Sequence, residues 1–224
     1  MLSQYFYRVL RRLFFNTHLR GLRNLSGEPS ILVANHAGAF GPVSIITSMP
    51  MEMHPWVAHE VTRLDTAATR IQAEFCEQEL KLKPPLSAFL ARIIGRVCVA
   101  IMKDIGAIPV YQKSKDIRQT VLRSLSLLKQ GKSILVFAED SSRKINDVLG
   151  EFCTGFIHVA RLYYQETRKA VQFFPVAVNR NAHRIRVGTP IRFDAATPFA
   201  REKRRIQHEL QDSVYSLYLQ LENG

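Results

Sequence analysis

Cysteine is scarce in this sequence, and its spacing excludes two classes of site. The 224 residues include three cysteines, Cys76, Cys98 and Cys153. An odd number of cysteines at such wide intervals fits neither a disulfide framework nor the short ligand spacing of a zinc site. We therefore expect all three to be small buried hydrophobic side chains, and we expect no metal site.

Acidic residues are also few. The chain has 19 Asp and Glu residues and 31 Lys and Arg residues, which gives a formal net charge of +12 at pH 7. Residues 1–23 contain five arginines and no acidic residue. This excess of positive charge predicts attraction to an anionic partner, which is either nucleic acid or a phospholipid surface.

Long hydrophobic runs are absent as well. The longest stretch without Asp, Glu, Lys or Arg is residues 29–51, and it contains Asn35, His36 and three prolines. Such a stretch is not typical of a membrane span. Arginines near the N-terminus interrupt every apolar core that a signal peptide would need. These absences favour a cytoplasmic protein.

The length and the order of apolar runs predict the fold class. No linker, repeat or low-complexity tract divides residues 25–224, so we expect one compact domain there. Strand and helix patterns alternate, which indicates an α/β fold with a mixed, mostly parallel sheet flanked by helices. Strands are predicted at residues 30–34, 56–58, 107–111, 134–138, 173–178 and 185–193. Helices are predicted at about residues 42–48, 62–79, 86–104, 115–129, 153–167 and 199–221.

Residues 1–24 have the pattern of an amphipathic basic helix. Their apolar side chains recur at the spacing of one helix face: Leu2, Tyr5, Phe6, Val9, Leu10, Leu13 and Phe14. Such a helix can lie in a bilayer interface, where each basic residue near the surface contributes about 1 kcal/mol. The same stripe would also suit packing against the domain core. The aromatic content and the lack of acids favour membrane contact.

Several binding signatures are incomplete. Gly131-Lys132-Ser133 resembles the end of a nucleotide P-loop, but it precedes a predicted strand instead of following one. His59-Glu60 lacks the second histidine of a zinc protease motif. Gly38-Ala39-Phe40-Gly41 matches the Gly-x-x-Gly loop of KH nucleic-acid modules, but Pro42 removes one of the amide donors after it. Because the basic residues are also spread through the chain, we expect no nucleic-acid partner.

His36 is the leading candidate for a catalytic residue. It follows the predicted strand at residues 30–34, and functional groups of α/β sheets normally lie just beyond the carboxyl ends of strands. A histidine at that place can accept and return a proton near neutral pH. Glu139 follows the strand at residues 134–138 in the same way. Since a lone histidine is more often structural, the interpretation depends on the neighbouring segments.

Those segments carry a resemblance to a known family. In order along the chain they are Asn35-His36 through Gly41-Pro42, Gly106-Ala107-Ile108-Pro109-Val110-Tyr111-Gln112, Phe137-Ala138-Glu139-Asp140-Ser141-Ser142-Arg143 and Phe174-Pro175-Val176-Ala177-Val178. Over roughly residues 25–195 the sequence resembles the glycerolipid acyltransferase family, which includes 1-acyl-glycerol-3-phosphate acyltransferases. The family motifs are Asn-His with Asp five residues after the His, Gly-Ile-Phe-hydrophobic-x-Arg, Phe-Pro-Glu-Gly-Thr-Arg and a hydrophobic-Pro-hydrophobic strand.

The departures from these motifs affect the expected site. Gly41 replaces the Asp that orients the catalytic imidazole in the family, Gln112 replaces the phosphate-binding Arg, and Asp140-Ser141-Ser142 replaces Gly-Thr-Arg. Loss of an orienting Asp lowers turnover about 10⁴-fold in serine hydrolases. A carboxylate that reaches His36 through space would compensate. The candidates are Glu139, Asp140, Glu60 and Asp104, and Glu139 is favoured because it also follows a strand.

The resemblance implies an acyltransferase. His36 would remove the proton from an acceptor hydroxyl, and Glu139 would support it. The resemblance also implies that the substrates contact Asn35, Gly38, Gly41, Lys113, Ser141, Ser142, Arg143 and Lys144. The acyl donor would be acyl-CoA or acyl carrier protein, the acceptor would be a lysophospholipid or a related molecule, and no cofactor or metal is implied. Such an enzyme is expected at the surface of an anionic phospholipid membrane.

Two alternatives stay open. The missing Asp at position 41 also fits a catalytically impaired, lipid-binding or regulatory relative of the acyltransferases. The apolar stripe of residues 86–104 could line an acyl groove, but such stripes usually pack against a sheet as plain core, and we favour the core interpretation.

Overall fold

The computed structural model describes residues 17–111, 116–138 and 152–222. These residues form two compact units. Over the described chain, one unit comprises residues 54–120, and the other comprises residues 17–53 and 121–222. Predictions for other segments, among them most of the expected N-terminal helix, concern residues outside these described ranges.

The strands and helices follow the alternation expected from the sequence. The strands are β1 (His18–Arg20), β2 (Ser30–Ala34), β3 (Met53–Ala58), β4 (Ile108–Val110), β5 (Ser133–Phe137), β6 (Gln172–Asn179), β7 (Arg184–Val187) and β8 (Ile191–Arg192). The α-helices are α1 (Phe40–Ser48), α2 (Leu64–Ile71), α3 (Leu86–Asp104), α4 (Ile117–Lys129), α5 (Ile157–Thr167) and α6 (Phe199–Glu222). Short 3-10 helices occur at Leu22–Asn24 and His59–Thr62, and a π-helix occurs at Gln72–Glu79.

The larger unit contains five neighbouring strands in the order β1-β7-β6-β2-β5, and β8 also pairs with β6. Strand β2 is central and lies parallel to both neighbours, with Ile31 paired to Ile134 of β5 and to Phe173 of β6. Strands β7 and β8 are antiparallel to β6, whereas β1 is parallel to β7. All five residues of β2 are buried, which is typical of a parallel strand covered on both faces. The expected α/β class with a mixed, mostly parallel sheet is therefore confirmed.

The two faces of this sheet pack against different helices. One face buries a hydrophobic cluster together with Phe40 and Ile45 of α1 and with Met49, the residue after α1. Its strand members are Leu32, Ala34, Leu135, Phe174, Val176, Val178, Ile185 and Val187. Because side chains alternate along a strand, Pro175 and Arg186 belong to the other face. There α6 packs against β6 and β7, and its Ile206, Leu210 and Val214 are buried.

A buried ion pair fixes the start of α6. Glu202 is fully buried, and its carboxylate accepts hydrogen bonds from the backbone N–H of Asp194 at 2.7 Å and from two nitrogens of Arg205 at 2.7 and 2.8 Å. These bonds to Glu202 raise the pKa of Arg205 above its usual value. The charge of Glu202 is thus paired and hydrogen-bonded, as a buried carboxylate requires.

The smaller unit contains the parallel pair β3 and β4, with Trp56 beside Ile108, and helices α2 and α3. Helix α3 turns a row of small residues inward, since Ser87, Ala91 and Gly95 are buried. A Cβ atom on Gly95 would lie 3.2 Å from the backbone nitrogen of Ala68, so α2 and α3 are in close backbone contact.

The large apolar residues of α3 face outward. Leu86 is 56% exposed, Phe89 62%, Ile93 46% and Val97 48%. The expectation that this stripe forms plain core is therefore wrong for these four residues. Small residues at every fourth position permit the close approach of α2, so the small-residue face is the one that packs. Among the described residues, no helix is long and apolar enough to cross a membrane.

Two further expectations need correction. The helix expected over residues 1–24 does not include its described part, because His18–Arg20 is a strand paired with β7 and Leu22–Asn24 is a 3-10 helix. Residues 1–16 lie outside the described chain. Cys76 is buried and its burial raises the pKa of its thiol, but Cys98 is only partly buried and Cys153 is exposed. The expectation of burial is therefore wrong for Cys153.

Candidate functional site at the carboxyl end of strand β2

Asn35 extends the pairing of the central strand by one residue through its side chain. Its amide nitrogen donates to the backbone oxygen of Val178 at 2.9 Å, and its side-chain oxygen accepts from the backbone nitrogen of Val178 at 2.7 Å. The residue is 4% exposed. These two bonds satisfy buried backbone groups of β6. The structure thus gives Asn35 a positioning role at the start of the loop, where the sequence had suggested substrate contact.

The loop after Asn35 turns sharply into α1. Ala37 has φ 47° and Gly38 has φ 63°, so two successive residues are left-handed. Helix α1 begins at Phe40, two residues earlier than the sequence predicted. The first turn of a helix presents backbone N–H groups and the positive end of the helix dipole. Half-buried His36 therefore lies between the end of a strand and the start of a helix.

Gly41 is in close contact with the backbone of this loop. A Cβ atom placed on it would overlap the carbonyl oxygen of His36 and would lie 2.9 Å from the carbonyl carbon. Both atoms are backbone atoms, so no rotamer change relieves the overlap. With this backbone path, there is no room for a side chain at position 41. The glycine at position 41 therefore reflects the packing of α1 against the His36 peptide.

The ring of His36 contacts the end of the neighbouring strand. Its centroid lies 5.2 Å from that of Phe137, the last residue of β5, and the two rings meet edge to face at 64°. Sequence reasoning did not identify Phe137 as a neighbour of His36, although a signal was present. Strands β2 and β5 are both short apolar runs of a parallel sheet, so their carboxyl ends lie side by side.

The third family-like segment begins at Phe137, the last residue of β5. Its candidate residues lie outside the described chain: Glu139, Asp140, Ser141, Ser142, Arg143 and Lys144. The described residues on either side of it lie beside the end of β2. The nitrogen of Ala138 donates to the carbonyl of Ala34 at 3.3 Å, and the nitrogen of Cys153 donates to the carbonyl of Ala138 at 2.7 Å. Lys113 also lies outside the described residues.

Glu60, another candidate carboxylate, is engaged within the smaller unit. It contacts Arg70 at 3.0 Å and the Nδ1 atom of His59 at 3.1 Å, and the ring of His59 stacks on Tyr111 with centroids 4.8 Å apart. Arg70 also pairs with Glu74 at 2.9 Å. Glu60 thus belongs to a local network of charged groups. Asp104 is the last residue of α3.

Of the sequence-predicted residues, four lie along the turn from β2 into the start of α1: Asn35, His36, Gly38 and Gly41. The described residues contain no group of three or more His, Cys, Asp or Glu side chains that could hold a metal ion. The chemistry available at this loop is therefore that of one imidazole at a strand end, the peptide groups of a helix start and an aromatic neighbour.

No protein-family model matches this chain, and no curated protein sequence matches it. A functional assignment therefore depends on the residues themselves and on their geometry.

Proposed function

We propose that this protein is an acyltransferase that works at an anionic membrane surface, with His36 as general base. It moves an acyl group from acyl-CoA or acyl carrier protein to a hydroxyl of a lysophospholipid-like acceptor. The observation that carries this proposal is the place of His36 at the carboxyl end of the central parallel strand, against Phe137. Through that contact the first and third family-like segments begin next to each other.

The proposed reaction needs one proton acceptor. The imidazole of His36 takes the proton of the acceptor hydroxyl, and the hydroxyl oxygen attacks the thioester carbonyl. The new C–O ester bond forms, the C–S bond breaks, and the imidazolium returns its proton to the leaving thiolate. In this proposal, backbone N–H groups at the start of α1 stabilise the negative charge that develops on the carbonyl oxygen. Glu139 is the proposed carboxylate partner of the imidazole.

The exposed stripe of α3 supports the membrane part of the proposal. A helix turns about 100° per residue, so Leu86, Phe89, Ile93 and Val97 share one outward face. Contiguous exposed apolar side chains of this size mark an interaction surface. A bilayer interface can cover such a stripe, with the apolar side chains of the helix buried at the acyl-chain boundary.

Charge next to the stripe selects an anionic bilayer. Arg92, Arg96 and Lys103 form a row along one border of the stripe, and all three are exposed. The small residues that pack α3 on α2 are also typical of helix contacts in lipid, where large apolar side chains face outward. Together, the apolar stripe and the basic row fit acyl chains and anionic headgroups respectively.

Replacement of His36 tests the catalytic proposal. Turnover would be measured for the wild type and His36→Ala on anionic vesicles, with acyl-CoA and acyl carrier protein donors and a panel of lysophospholipid acceptors. Loss of a general base should lower turnover about 10²-fold or more. His208→Ala, a change on the exposed surface of α6, is the matched control and should leave turnover intact. Equal turnover in His36→Ala and the wild type would remove His36 from the mechanism.

A second candidate, a catalytically impaired lipid-binding relative, is favoured by Gly41. The overlap between a Cβ atom at position 41 and the His36 carbonyl means that the loop follows a path that no Asp at that position could share. For such a protein, wild type would bind acceptor-containing vesicles and would show no turnover with any donor.

A further inference from the structure

A basic cavity lies on the face of the larger unit that α6 covers. Its volume is about 660 Å³, and it opens between the end of β1, the end of β7 and the middle of α6. Three arginines line it, Arg20, Arg23 and Arg186, and Asp212 is the one acidic residue among its described lining. We call this feature the arginine pocket.

Two of these arginines are direct neighbours across a strand pair. Arg20 of β1 is in register with Arg186 of β7 in the parallel ladder. Like charges placed opposite each other in a sheet are destabilising. In the described part of the chain, none of the three guanidinium groups is within 4.0 Å of a carboxylate. The positive charges of the three arginines are therefore not balanced by paired carboxylates.

Two glycines allow close packing of the elements around the pocket. Gly21 has φ 81°, and a Cβ atom on it would overlap the carbonyl oxygen of Val187. The side chain of Asn24 donates to that same carbonyl at 3.0 Å, which holds the turn between the two flanking arginines, Arg20 and Arg23. A Cβ atom on Gly188 would lie 2.8 Å from Leu217 and 2.9 Å from Pro175. Glycine at position 21 thus allows close contact with β7, and glycine at position 188 allows close contact with β6 and α6.

The sheet separates this pocket from His36. Pro175 and Arg186 lie on the face that α6 covers, whereas Ala34, Val176 and Val187 pack with α1 on the opposite face. The ring of His36 contacts Phe137, which packs against that opposite cluster. The arginine pocket is therefore distinct from the proposed catalytic loop, and an inference about it does not depend on acyl transfer.

We propose that the arginine pocket binds a phosphate monoester. Three guanidinium charges and one carboxylate leave a net charge of +2 in the pocket. A phosphate monoester carries a charge of about −1.5 to −2 near neutral pH, so it would neutralise the pocket. Guanidinium groups offer paired N–H donors that match two oxygens of one phosphate. The hydroxyls of Thr189, Ser213 and Ser216 line the same space and can donate to the remaining oxygen.

Because the pocket contains Asp212, the proposal predicts opposite changes in phosphate affinity for two substitutions. The carboxylate of Asp212 repels a bound anion, so Asp212→Asn should tighten phosphate binding whereas Arg186→Gln should weaken it. A phosphate diester carries a single charge and has fewer unesterified oxygens, so it would balance the pocket only in part and should bind more weakly than a monoester. General attraction to a basic protein would give the same two signs, so the size of each effect has to be compared with that of a charge substitution outside the pocket.

The test is calorimetric titration of the full chain at low salt with glycerol 3-phosphate, and with dimethyl phosphate as the diester. For glycerol 3-phosphate, Arg20→Gln and Arg186→Gln should each weaken binding about tenfold, since each removes charge-assisted hydrogen bonds. Asp212→Asn should tighten binding about threefold. Arg204→Gln removes the same charge from an exposed position of α6 outside the pocket, and it should change affinity by less than about twofold.

Vesicle sedimentation then distinguishes a free phosphate ester from a lipid headgroup. Phosphatidic acid presents a monoester, and phosphatidylglycerol of matched surface charge presents a diester. A preference for phosphatidic acid that Arg186→Gln abolishes would assign the pocket to a lipid headgroup. Tight binding of glycerol 3-phosphate without that preference would assign it to a soluble ester.

The proposal is overturned if Arg204→Gln weakens binding as much as Arg186→Gln, if Asp212→Asn has no effect or weakens binding, or if the diester binds as well as the monoester.

Discussion

Gly41 is the residue whose substitution the structure predicts most sharply. A methyl group at this position would overlap the carbonyl oxygen of His36, so the start of α1 would have to move away from the loop. Such overpacking against backbone typically costs about 1–3 kcal/mol. We expect Gly41→Ala to lower the free energy of unfolding by about 2 kcal/mol in urea titrations followed by circular dichroism.

Gly155 provides the matched control. No atom lies within 4 Å of a Cβ atom built on it, and it is exposed before α5. Gly155→Ala should therefore change stability by less than about 0.5 kcal/mol. Equal stability of Gly41→Ala and the wild type would show that the loop yields easily, and the steric account of position 41 would be wrong.

The same overlap changes the meaning of a Gly41→Asp variant. Gly41→Asp restores the residue of the family motif, and a gain of activity in this variant would indicate a degenerate site. Because any side chain at position 41 displaces the peptide of His36, loss of activity in Gly41→Asp reports the displaced loop as well as the chemistry. His36→Ala is the cleaner probe, since it leaves the backbone path intact.

At the scale of elements, the outward stripe of α3 predicts a separation of binding from stability. Phe89 and Ile93 are 62% and 46% exposed, so Phe89→Ser with Ile93→Ser should leave the midpoint of thermal unfolding nearly unchanged. If the stripe enters a bilayer interface, the double variant should bind anionic vesicles about tenfold or more weakly, because each buried apolar side chain contributes about 1.5–3 kcal/mol when fully buried.

Two exposed apolar residues of α6 provide a matched control for the double variant of α3. Tyr215 is 50% exposed and Leu219 is 38% exposed. The double change Tyr215→Ser with Leu219→Ser removes a similar amount of exposed apolar surface from another helix, and it should leave vesicle binding intact. Equal losses in both double variants, measured by sedimentation, would indicate a general effect of surface hydrophobicity and would contradict a membrane face on α3.

Helix α3 also shows what a sequence can and cannot predict about an element. Its bounds follow from periodicity, and residues 86–104 are helical as predicted. Which face packs does not follow from periodicity, because Ser87, Ala91 and Gly95 form a second row that permits closer contact with α2 than Leu or Phe would. The predicted helix over residues 1–24 failed at His18–Arg20 because pairing with β7 outweighs local helical periodicity.

The loop after β2 likewise combines features that the sequence could predict with features that it could not. The position of His36 beyond a buried strand could be predicted, since an apolar run followed by a polar residue is visible in the sequence. The two hydrogen bonds of the Asn35 side chain could not be predicted. Their partner Val178 is 143 residues away in the chain and is brought near by strand pairing. The close contact at Gly41 depends on the angle at which α1 leaves the loop, and no local pattern encodes that angle.

At the scale of the whole molecule, the net charge of +12 and the stripe of α3 predict different responses to salt. Attraction between basic residues and anionic headgroups is screened within a Debye length, which shrinks from about 14 Å to about 6 Å between 0.05 and 0.3 M salt. Insertion of apolar side chains is not screened. Binding to phosphatidylglycerol vesicles should therefore fall about tenfold or more over that range and then level off above zero.

The serine double variant at positions 89 and 93 should lack that residual binding at high salt, because only its screened component remains. Binding to uncharged phosphatidylcholine vesicles should be weak in both proteins and insensitive to salt, and an excess of duplex DNA should not displace the wild type from phosphatidylglycerol. If DNA displaces the protein completely, or if the double variant and the wild type level off at the same value, the positive charge serves a different anion, and α3 does not enter the bilayer. A plateau that depends on Phe89 and Ile93 would instead assign the charge to attraction toward the membrane and the stripe to retention there.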